Sequence, residues 1–167
     1  MAGGVYHNER MCIIASGTFK TYGAMPRTAF DKKIDWLSDT LKFMLTPAAH
    51  TPDQDLDPSN LGPYQTSITG SEVSGTGYTS GGITVIGKTE SYVAASNAIK
   101  WVIDDIVFTT VTIADVRNGH LYDSTPGSAA TNPLILYVPL DATLAPNAGN
   151  LTFDCDGTNG ILQIISS

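Results

Sequence analysis

The stretch Leu151-Thr152-Phe153-Asp154-Cys155 decides the fold class, because apolar and polar side chains alternate along it. With the period of two that a β-strand has, its apolar side chains fall on one face and its polar side chains on the other. The turn-forming residues 156–160 (Asp-Gly-Thr-Asn-Gly) follow, and an apolar run covers residues 161–165. A strand, a turn and a second strand in this order predict a hairpin at the end of the chain.

Further short apolar runs lie upstream and are bounded by turn-forming residues, as strands are. Residues 134–138 (Leu-Ile-Leu-Tyr-Val) predict a buried strand, which Pro139 ends or places at the edge of a sheet. The pair Asn118-Gly119 is a strong signal for a tight hairpin turn. The other predicted strands cover residues 40–46, 83–88, 99–103, 106–109, 113–116 and 119–122. About eight short strands at regular spacing predict an all-β fold, an antiparallel β-sandwich.

One segment fits a helix as well as a strand. Within residues 40–46 the apolar side chains alternate, which favours a strand. Over residues 30–45, apolar side chains also recur at helical spacing, at Ile34, Leu37, Leu41 and Leu45. The strand is preferred, and the helix is the alternative.

The chain divides into an arm, a domain and a long loop. Residues 1–33 predict an irregular N-terminal arm, because glycines and a proline interrupt any long helix there. Residues 34–167 predict the β-sandwich domain, with a Pro- and Gly-rich loop inserted at residues 47–82. Loops of that length usually have binding or assembly roles. A separate arm also implies that the sandwich still folds when residues 1–30 are removed.

The arm and the long loop supply the candidate interface residues. Apolar residues of the arm must pack on the domain or on a neighbouring subunit, and loop tyrosines bury area while keeping a polar tip. The same aromatic residues would stack on sugars if this were a carbohydrate-binding module. The candidate interface residues are Ile13, Ile14, Phe19, Phe30, Tyr64, Glu72 and Tyr78.

Charges are few in this chain, and most are acidic. Charged residues make up 15% of the 167 residues, below the share of about 25% in ordinary soluble domains. This composition suits a turn-rich β-protein or one that hides much of its surface in an assembly. The net charge is −7 and the nine Lys and Arg are scattered apart from Lys32-Lys33, so nucleic acid is not expected as a partner. No segment has the pattern of a signal peptide or a membrane helix, so no membrane partner is expected.

Patterns typical of catalytic, cofactor or metal sites are present only in part. Asp53, Asp55 and Asp57 alternate like the first ligands of a calcium loop, but the later Gly and Glu of such a loop are absent. A solvated acidic loop that bonds its own backbone amides is the preferred interpretation. The glycines of residues 75–81 have the wrong spacing for a dinucleotide-binding loop, and no serine has the frame of a nucleophile elbow. We therefore predict a non-enzymatic protein with no catalytic residues, cofactor or metal.

The two cysteines, Cys12 and Cys155, allow two interpretations. They are either small buried apolar side chains or the two halves of a disulfide that ties the arm to the last strands. The disulfide would need an oxidising compartment.

Several segments follow one another in an order that resembles a known family. They are residues 37–42 (Leu-Ser-Asp-Thr-Leu-Lys), 51–55 (Thr-Pro-Asp-Gln-Asp), 72–82 (Glu-Val-Ser-Gly-Thr-Gly-Tyr-Thr-Ser-Gly-Gly), 121–125 (Leu-Tyr-Asp-Ser-Thr), 133–135 (Pro-Leu-Ile) and the final hairpin with Phe153. This series resembles the small structural proteins of tailed-bacteriophage virions, over roughly residues 34–165. One departure is Cys155, where a large aromatic residue is expected.

The resemblance implies a virion component, made in the host bacterial cytoplasm. The first expectation is a capsid decoration or cement protein that binds the major capsid shell from outside and stabilises it. The second is a head–tail connector or tail component, and the third is a host-receptor or carbohydrate-binding module on the virion. The implied partners are the major capsid protein or other virion proteins, together with further copies of the chain in a homo-oligomer.

Overall fold

The computed structural model describes residues 12–15, 17–55, 64–155 and 157–165, and this part of the chain is mostly β-structure. The all-β prediction is confirmed, with more strands than the eight expected. The elements are β1 Cys12–Ala15, β2 Lys20–Thr21, α1 Met25–Phe30, β3 Leu41–Thr46, α2 Thr66–Thr69, β4 Gly75–Thr76, β5 Ile83–Thr84, β6 Thr89–Val93, β7 Ala98–Val102, β8 Ile106–Ile113, β9 Val116–Asp123, β10 Leu134–Leu144, β11 Gly149–Phe153 and β12 Leu162–Ile165.

The strands form three sheets. The largest has the order β2-β10-β9-β3-β5, the second β1-β11-β8-β4 and the third β12-β7-β6. Neighbouring strands are antiparallel, except that β1 runs parallel to β11. The first two sheets pack face to face around the core: Phe43 of β3 meets Phe153 of β11 edge to face, with ring centroids 4.8 Å apart. Such edge-to-face contacts are favoured between aromatic rings in protein cores.

β3 lies inside the largest sheet, between β9 and β5. Residues 40–46 therefore contain the preferred strand and not the alternative helix. Leu41, Phe43 and Leu45 are fully buried as expected, and Met44 on the opposite face is fully buried too. The preceding helix α1 ends at Phe30, so the alternative of a helix over residues 30–45 is wrong. Asp35 accepts hydrogen bonds from the backbone N–H groups of Leu37 and Ser38, both at 3.1 Å, and these fold the chain into a turn ahead of β3.

The prediction of a hairpin turn at Asn118-Gly119 is wrong. Both residues lie in the middle of β9, and Gly119 pairs with Leu45 of β3 on one side and Val138 of β10 on the other. Glycine is needed there for space, because a Cβ atom on Gly119 would lie 2.1 Å from Cζ of Phe43. The Asn-Gly pair thus reflects packing against the Phe43 ring, and β8 and β9 are joined by residues 114–115 instead.

The limits of two other strands also differ from the predicted ones. The strand expected over residues 83–88 is only Ile83–Thr84. Gly87 has φ +66°, a left-handed conformation that interrupts extended structure. β10 runs on through Pro139, which pairs with Asn118, as far as Leu144. A shift of register follows Pro139, so the proline coincides with an irregularity and does not end the strand.

The described part of residues 1–33 is built into the sheets. β1 lies at the edge of the second sheet and β2 at the edge of the largest one. Between β2 and α1, Tyr22 is fully buried. Removing residues 1–30 would take away two edge strands and a core tyrosine, so the expectation that the sandwich folds without them is not supported. A domain limit at residue 33 stays a prediction.

Cys155 is a buried free thiol, in line with the apolar interpretation of this residue. In the parallel pairing of β1 with β11, Cys12 lies opposite Asn150. Cys155 is five residues further along the chain, which at about 3.3 Å per residue in a strand is about 16 Å. A disulfide requires Cα atoms about 4.4 to 6.8 Å apart, so the Cys12–Cys155 disulfide does not form in this structure.

Within the described ranges, no helix is long and apolar enough to cross a membrane.

Candidate functional site

Glu72 closes the loop formed by residues 72–82, here called the Glu72 loop. Its carboxylate accepts hydrogen bonds from the hydroxyl groups of Tyr78 at 2.8 Å and Ser80 at 2.7 Å, and from the backbone N–H of Gly81 at 2.6 Å. Hydrogen bonds to an ionised carboxylate are among the stronger ones in proteins. Glu72 and Tyr78 were both predicted at an interface, and in the isolated chain they bind each other.

Two tyrosine hydroxyl groups help to fix the Glu72 loop to the largest sheet. The Tyr78 hydroxyl accepts a hydrogen bond from the backbone N–H of Leu45 in β3 (3.1 Å), and the Tyr122 hydroxyl in β9 donates to the carbonyl of Gly81 (2.7 Å). The Tyr78 ring also stacks on Phe108 of β8, with centroids 5.7 Å apart. Burial, followed by the nearby Glu72 charge, raises the pKa of Tyr122 to about 12. This phenol therefore stays protonated and remains a donor at physiological pH.

A second polar group lies inside the largest sheet, around His120. Its Nδ1 lies 2.7 Å from the Tyr22 hydroxyl and its Nε2 lies 2.9 Å from the Thr46 hydroxyl. His120 is fully buried, and burial, with a smaller contribution from His50, lowers its pKa to about 3. A neutral imidazole has one donor and one acceptor nitrogen, and the two hydroxyl groups can serve both. We call Tyr22, Thr46, His50, Asn118 and His120 the His120 cluster.

The His120 cluster anchors the start of the long loop. The Asn118 side-chain amide donates to the carbonyl groups of His50 (2.9 Å) and Pro47 (3.4 Å) and to the Thr46 hydroxyl (3.2 Å). The His50 ring packs edge-on against that of His120, with centroids 5.4 Å apart. The Nε2 atom of His50 is buried and has no hydrogen-bond partner among the described residues, and burial lowers the His50 pKa. No pattern in the sequence indicated this cluster, because its members are far apart in the chain. The pairing of β3 with β9 places Thr46 opposite Asn118 and Met44 opposite His120.

A third polar group joins the turn before β3 to the end of β9. Asp123 is almost fully buried and accepts a hydrogen bond from the Thr125 backbone N–H at 2.8 Å. Burial first, and then the carboxyl group of Asp39, raise the pKa of Asp123. Lys88 reaches this turn through a hydrogen bond from its Nζ to the carbonyl of Asp39.

The most exposed large apolar side chain of the described residues lies at the end of α1. Phe30 is 88% exposed, while Met25 and Thr28 turn inward and hold the helix on the domain. Basic side chains surround Phe30 in sequence, and the Lys33 Nζ donates to the Tyr64 hydroxyl at 3.3 Å. We call this group the α1 patch, formed by Arg27, Phe30, Lys32, Lys33 and Tyr64.

The structure separates the remaining candidate interface residues. Phe19 is half-buried against Phe43, with ring centroids 6.5 Å apart, so part of its surface already contacts the core. Ile13 and Ile14 lie on β1, at the edge of the second sheet, and their side chains lie outside the described part of the structure. Tyr64 is hydrogen-bonded to Lys33, which lies three residues beyond Phe30 in the chain.

The acidic run of the long loop behaves as a loop of self-bonded carboxylates where it is described. The Asp53 carboxylate accepts a hydrogen bond from the Asp55 backbone N–H at 3.0 Å. Asp57 lies outside the described residues. Among the residues that are described, no three His, Cys, Asp or Glu side chains are placed to hold a metal ion.

Comparison of the chain with models of protein families, with curated proteins and with solved structures gave no match. The likeness to small virion proteins therefore rests on the ordered segments quoted above. Two of these segments meet in the structure, where the backbone N–H of Ser124 donates to the Thr40 carbonyl (2.9 Å) and the backbone N–H of Thr40 donates to the Thr125 hydroxyl (2.8 Å). A third joins them through the hydrogen bond from the Asp123 N–H to the Pro133 carbonyl, at 3.0 Å.

Proposed function

We propose that this chain is a non-enzymatic structural protein of a tailed-bacteriophage virion, and that it decorates the outside of the capsid as a cement protein. The resemblance of the ordered segments to that family supports the proposal that the chain is a virion component. The α1 patch is the observation that supports decoration, because it combines an exposed aromatic side chain with a local excess of basic groups. Binding hot spots are enriched in aromatic side chains and arginine.

The basic residues of the α1 patch favour a partner whose surface is acidic. The chain as a whole has a net charge of −7, yet Arg27, Lys32 and Lys33 lie within one short segment around Phe30. Within residues 27–33 one acidic residue, Asp31, offsets them through an exposed ion pair with Arg27 at 3.7 Å, and exposed pairs of this kind contribute little. A shell surface that is acidic around an apolar recess would complement the patch while repelling the rest of the chain.

The hydrogen bonds of Glu72 and His120 favour a rigid domain that presents the α1 patch. Glu72 is engaged by three donors and His120 by two hydroxyl groups, all within the chain. These are the side chains whose types would suit acid–base chemistry, and here they stabilise loops on the largest sheet. A rigid frame lowers the ordering cost of binding a large shell.

The test is co-sedimentation of the purified protein with tailless capsids of the virus that encodes it and, separately, with its isolated tails. Saturable binding to the tailless capsids is the expected result. Binding to tails alone would favour the connector or tail component. Binding to neither, with affinity for host glycans, would favour the receptor-binding module.

The variant Phe30→Ala tests the α1 patch itself. Because a central aromatic anchor typically accounts for 2 kcal/mol or more, we expect it to weaken capsid binding by about 30-fold. The matched control is Ile86→Ala, which removes another exposed apolar side chain, 65% exposed and located between β5 and β6. Equal binding by Phe30→Ala and Ile86→Ala would contradict the assignment of the patch, even if the protein decorates capsids.

A further inference from the structure

In the described part of the chain, the three-stranded sheet has an edge at β12 that no other strand covers. Its order is β12-β7-β6, and no described strand pairs with the outer side of β12. Such an edge exposes unpaired N–H and C=O groups, which natural proteins usually protect with charges, proline or a bulge. β12 (Leu162-Gln163-Ile164-Ile165) has none of these, and its pairing with β7 is regular along all four residues.

An exposed apolar row crosses the same sheet and ends at this edge. Tyr92 lies opposite Ile99, and Ile99 lies opposite Ile164, so all three side chains project from one face. They are 63%, 37% and 56% exposed. Exposed apolar side chains normally occur singly, whereas a contiguous group marks an interaction site.

Charge indicates what kind of partner this edge accepts. The chain has a net charge of −7, so most approaches of one copy to another are repulsive. The three-stranded sheet is an exception: its strands carry one acid, Glu90, and one base, Lys100, while β12 has no charge. A second copy of the chain can approach this edge without a local electrostatic penalty, and it brings the strand that the unpaired backbone groups require.

We propose that two copies of the chain pair through β12, antiparallel and about a two-fold axis, to form one six-stranded sheet. A two-fold axis normal to the sheet keeps the apolar faces of both copies on the same side. With Ile164 opposite Ile164 of the partner subunit, the rows of the two copies join into a continuous apolar stripe. This pairing is independent of the proposed role in a virion, since it concerns only the chain itself.

Sedimentation velocity of the purified chain, from about 1 μM to about 1 mM, tests the pairing. Four residues a copy make a small contact, so we expect weak association that becomes visible in the upper part of this range. Ile164→Lys places a charge on the stripe and on the edge, and should raise the dimer dissociation constant at least tenfold. The control Ile86→Lys introduces the same charge at a similarly exposed site and should leave it unchanged.

A cysteine variant tests the register without any loss of the edge. In a background in which Cys12 is replaced by Ser, Ile164→Cys should form a disulfide-linked dimer under mild oxidation, whereas Ile86→Cys should not. The Cα atoms of residues directly opposite each other in an antiparallel pair lie about 4.5 to 5.5 Å apart, within the range of about 4.4 to 6.8 Å for a disulfide. Cys155 is buried. A wild-type chain that stays monomeric to 1 mM, a dimer that Ile164→Lys does not weaken, or a dimer that Ile164→Cys does not cross-link would each overturn the proposal.

Discussion

His120 is a buried histidine used as a neutral hydrogen-bonding group. Both ring nitrogens face hydroxyl groups, and no acidic side chain in the described part of the chain is hydrogen-bonded to the ring to favour its charged form. Burial and the neighbouring His50 therefore both disfavour protonation of the His120 ring. The cluster is stable only while this ring stays neutral, which makes its contribution to folding depend on pH.

Stability is expected to fall as the pH is lowered below 6.5. The pKa of His120 is about 3 in the folded chain against 6.5 for an ordinary histidine, so at intermediate pH the unfolded chain binds a proton that the folded chain does not. The contribution is fully present above pH 6.5 and declines toward the folded pKa, by about 2 to 3 kcal/mol at pH 4.5. Urea unfolding between pH 7.5 and about 4.5 measures this decline.

The variant His120→Gln separates this residue from other titrating groups. It is less stable at pH 7, because two buried hydroxyl groups lose their partner, but its stability should change less over the same pH range. Asp123, whose raised pKa acts in the opposite direction, is present in both proteins and cancels in the comparison. Equal pH dependence in the variant and the wild type would show that His120 does not control this behaviour.

At the scale of the element, strands could be predicted where side chains alternate or form short apolar runs, and their limits could not be predicted where packing decides. β3 and β11 followed from their own residues. The interior position of Gly119 did not, because it depends on a ring from β3, 76 positions earlier in the chain. The Glu72 loop was identified as a loop, but its closure by Glu72 depends on donors that only the folded chain brings together. Local sequence thus predicted some elements, such as β3 and β11, and missed others, such as α1 and β6. The clusters and the sheet order needed long-range pairing.

Gly119→Ala tests whether packing, and not turn geometry, requires glycine in β9. The added Cβ would lie 2.1 Å from Cζ of Phe43, and relief of such a contact in a packed core costs about 2 to 3 kcal/mol. The double variant Gly119→Ala/Phe43→Leu should be less destabilised than the sum of the single variants, by about 1 kcal/mol or more. Strict additivity in urea unfolding would mean that the Phe43 ring is not what excludes a larger residue.

At the scale of the whole molecule, the two proposed surfaces are built on different parts of the fold. The α1 patch follows β2, at the edge of the largest sheet, whereas β12 belongs to the three-stranded sheet. Neither element has to change conformation for the other to bind. A pair of copies joined through β12 would therefore present two α1 patches on one rigid assembly, and a shell made of repeated subunits offers a repeated target.

This arrangement predicts that pairing strengthens decoration. When two linked sites bind a repeating surface, the second binding event is intramolecular and the apparent affinity rises without new contacts. Ile164→Lys, which leaves the α1 patch intact, should thus bind tailless capsids at least about tenfold more weakly than the wild type at concentrations where the wild type is dimeric. Ile86→Lys should bind like the wild type, and Phe30→Ala should bind weakly in both the paired and the unpaired background. If Ile164→Lys binds capsids as tightly as the wild type, loss of the dimer does not change capsid binding. The two α1 patches of a dimer then do not engage the shell together.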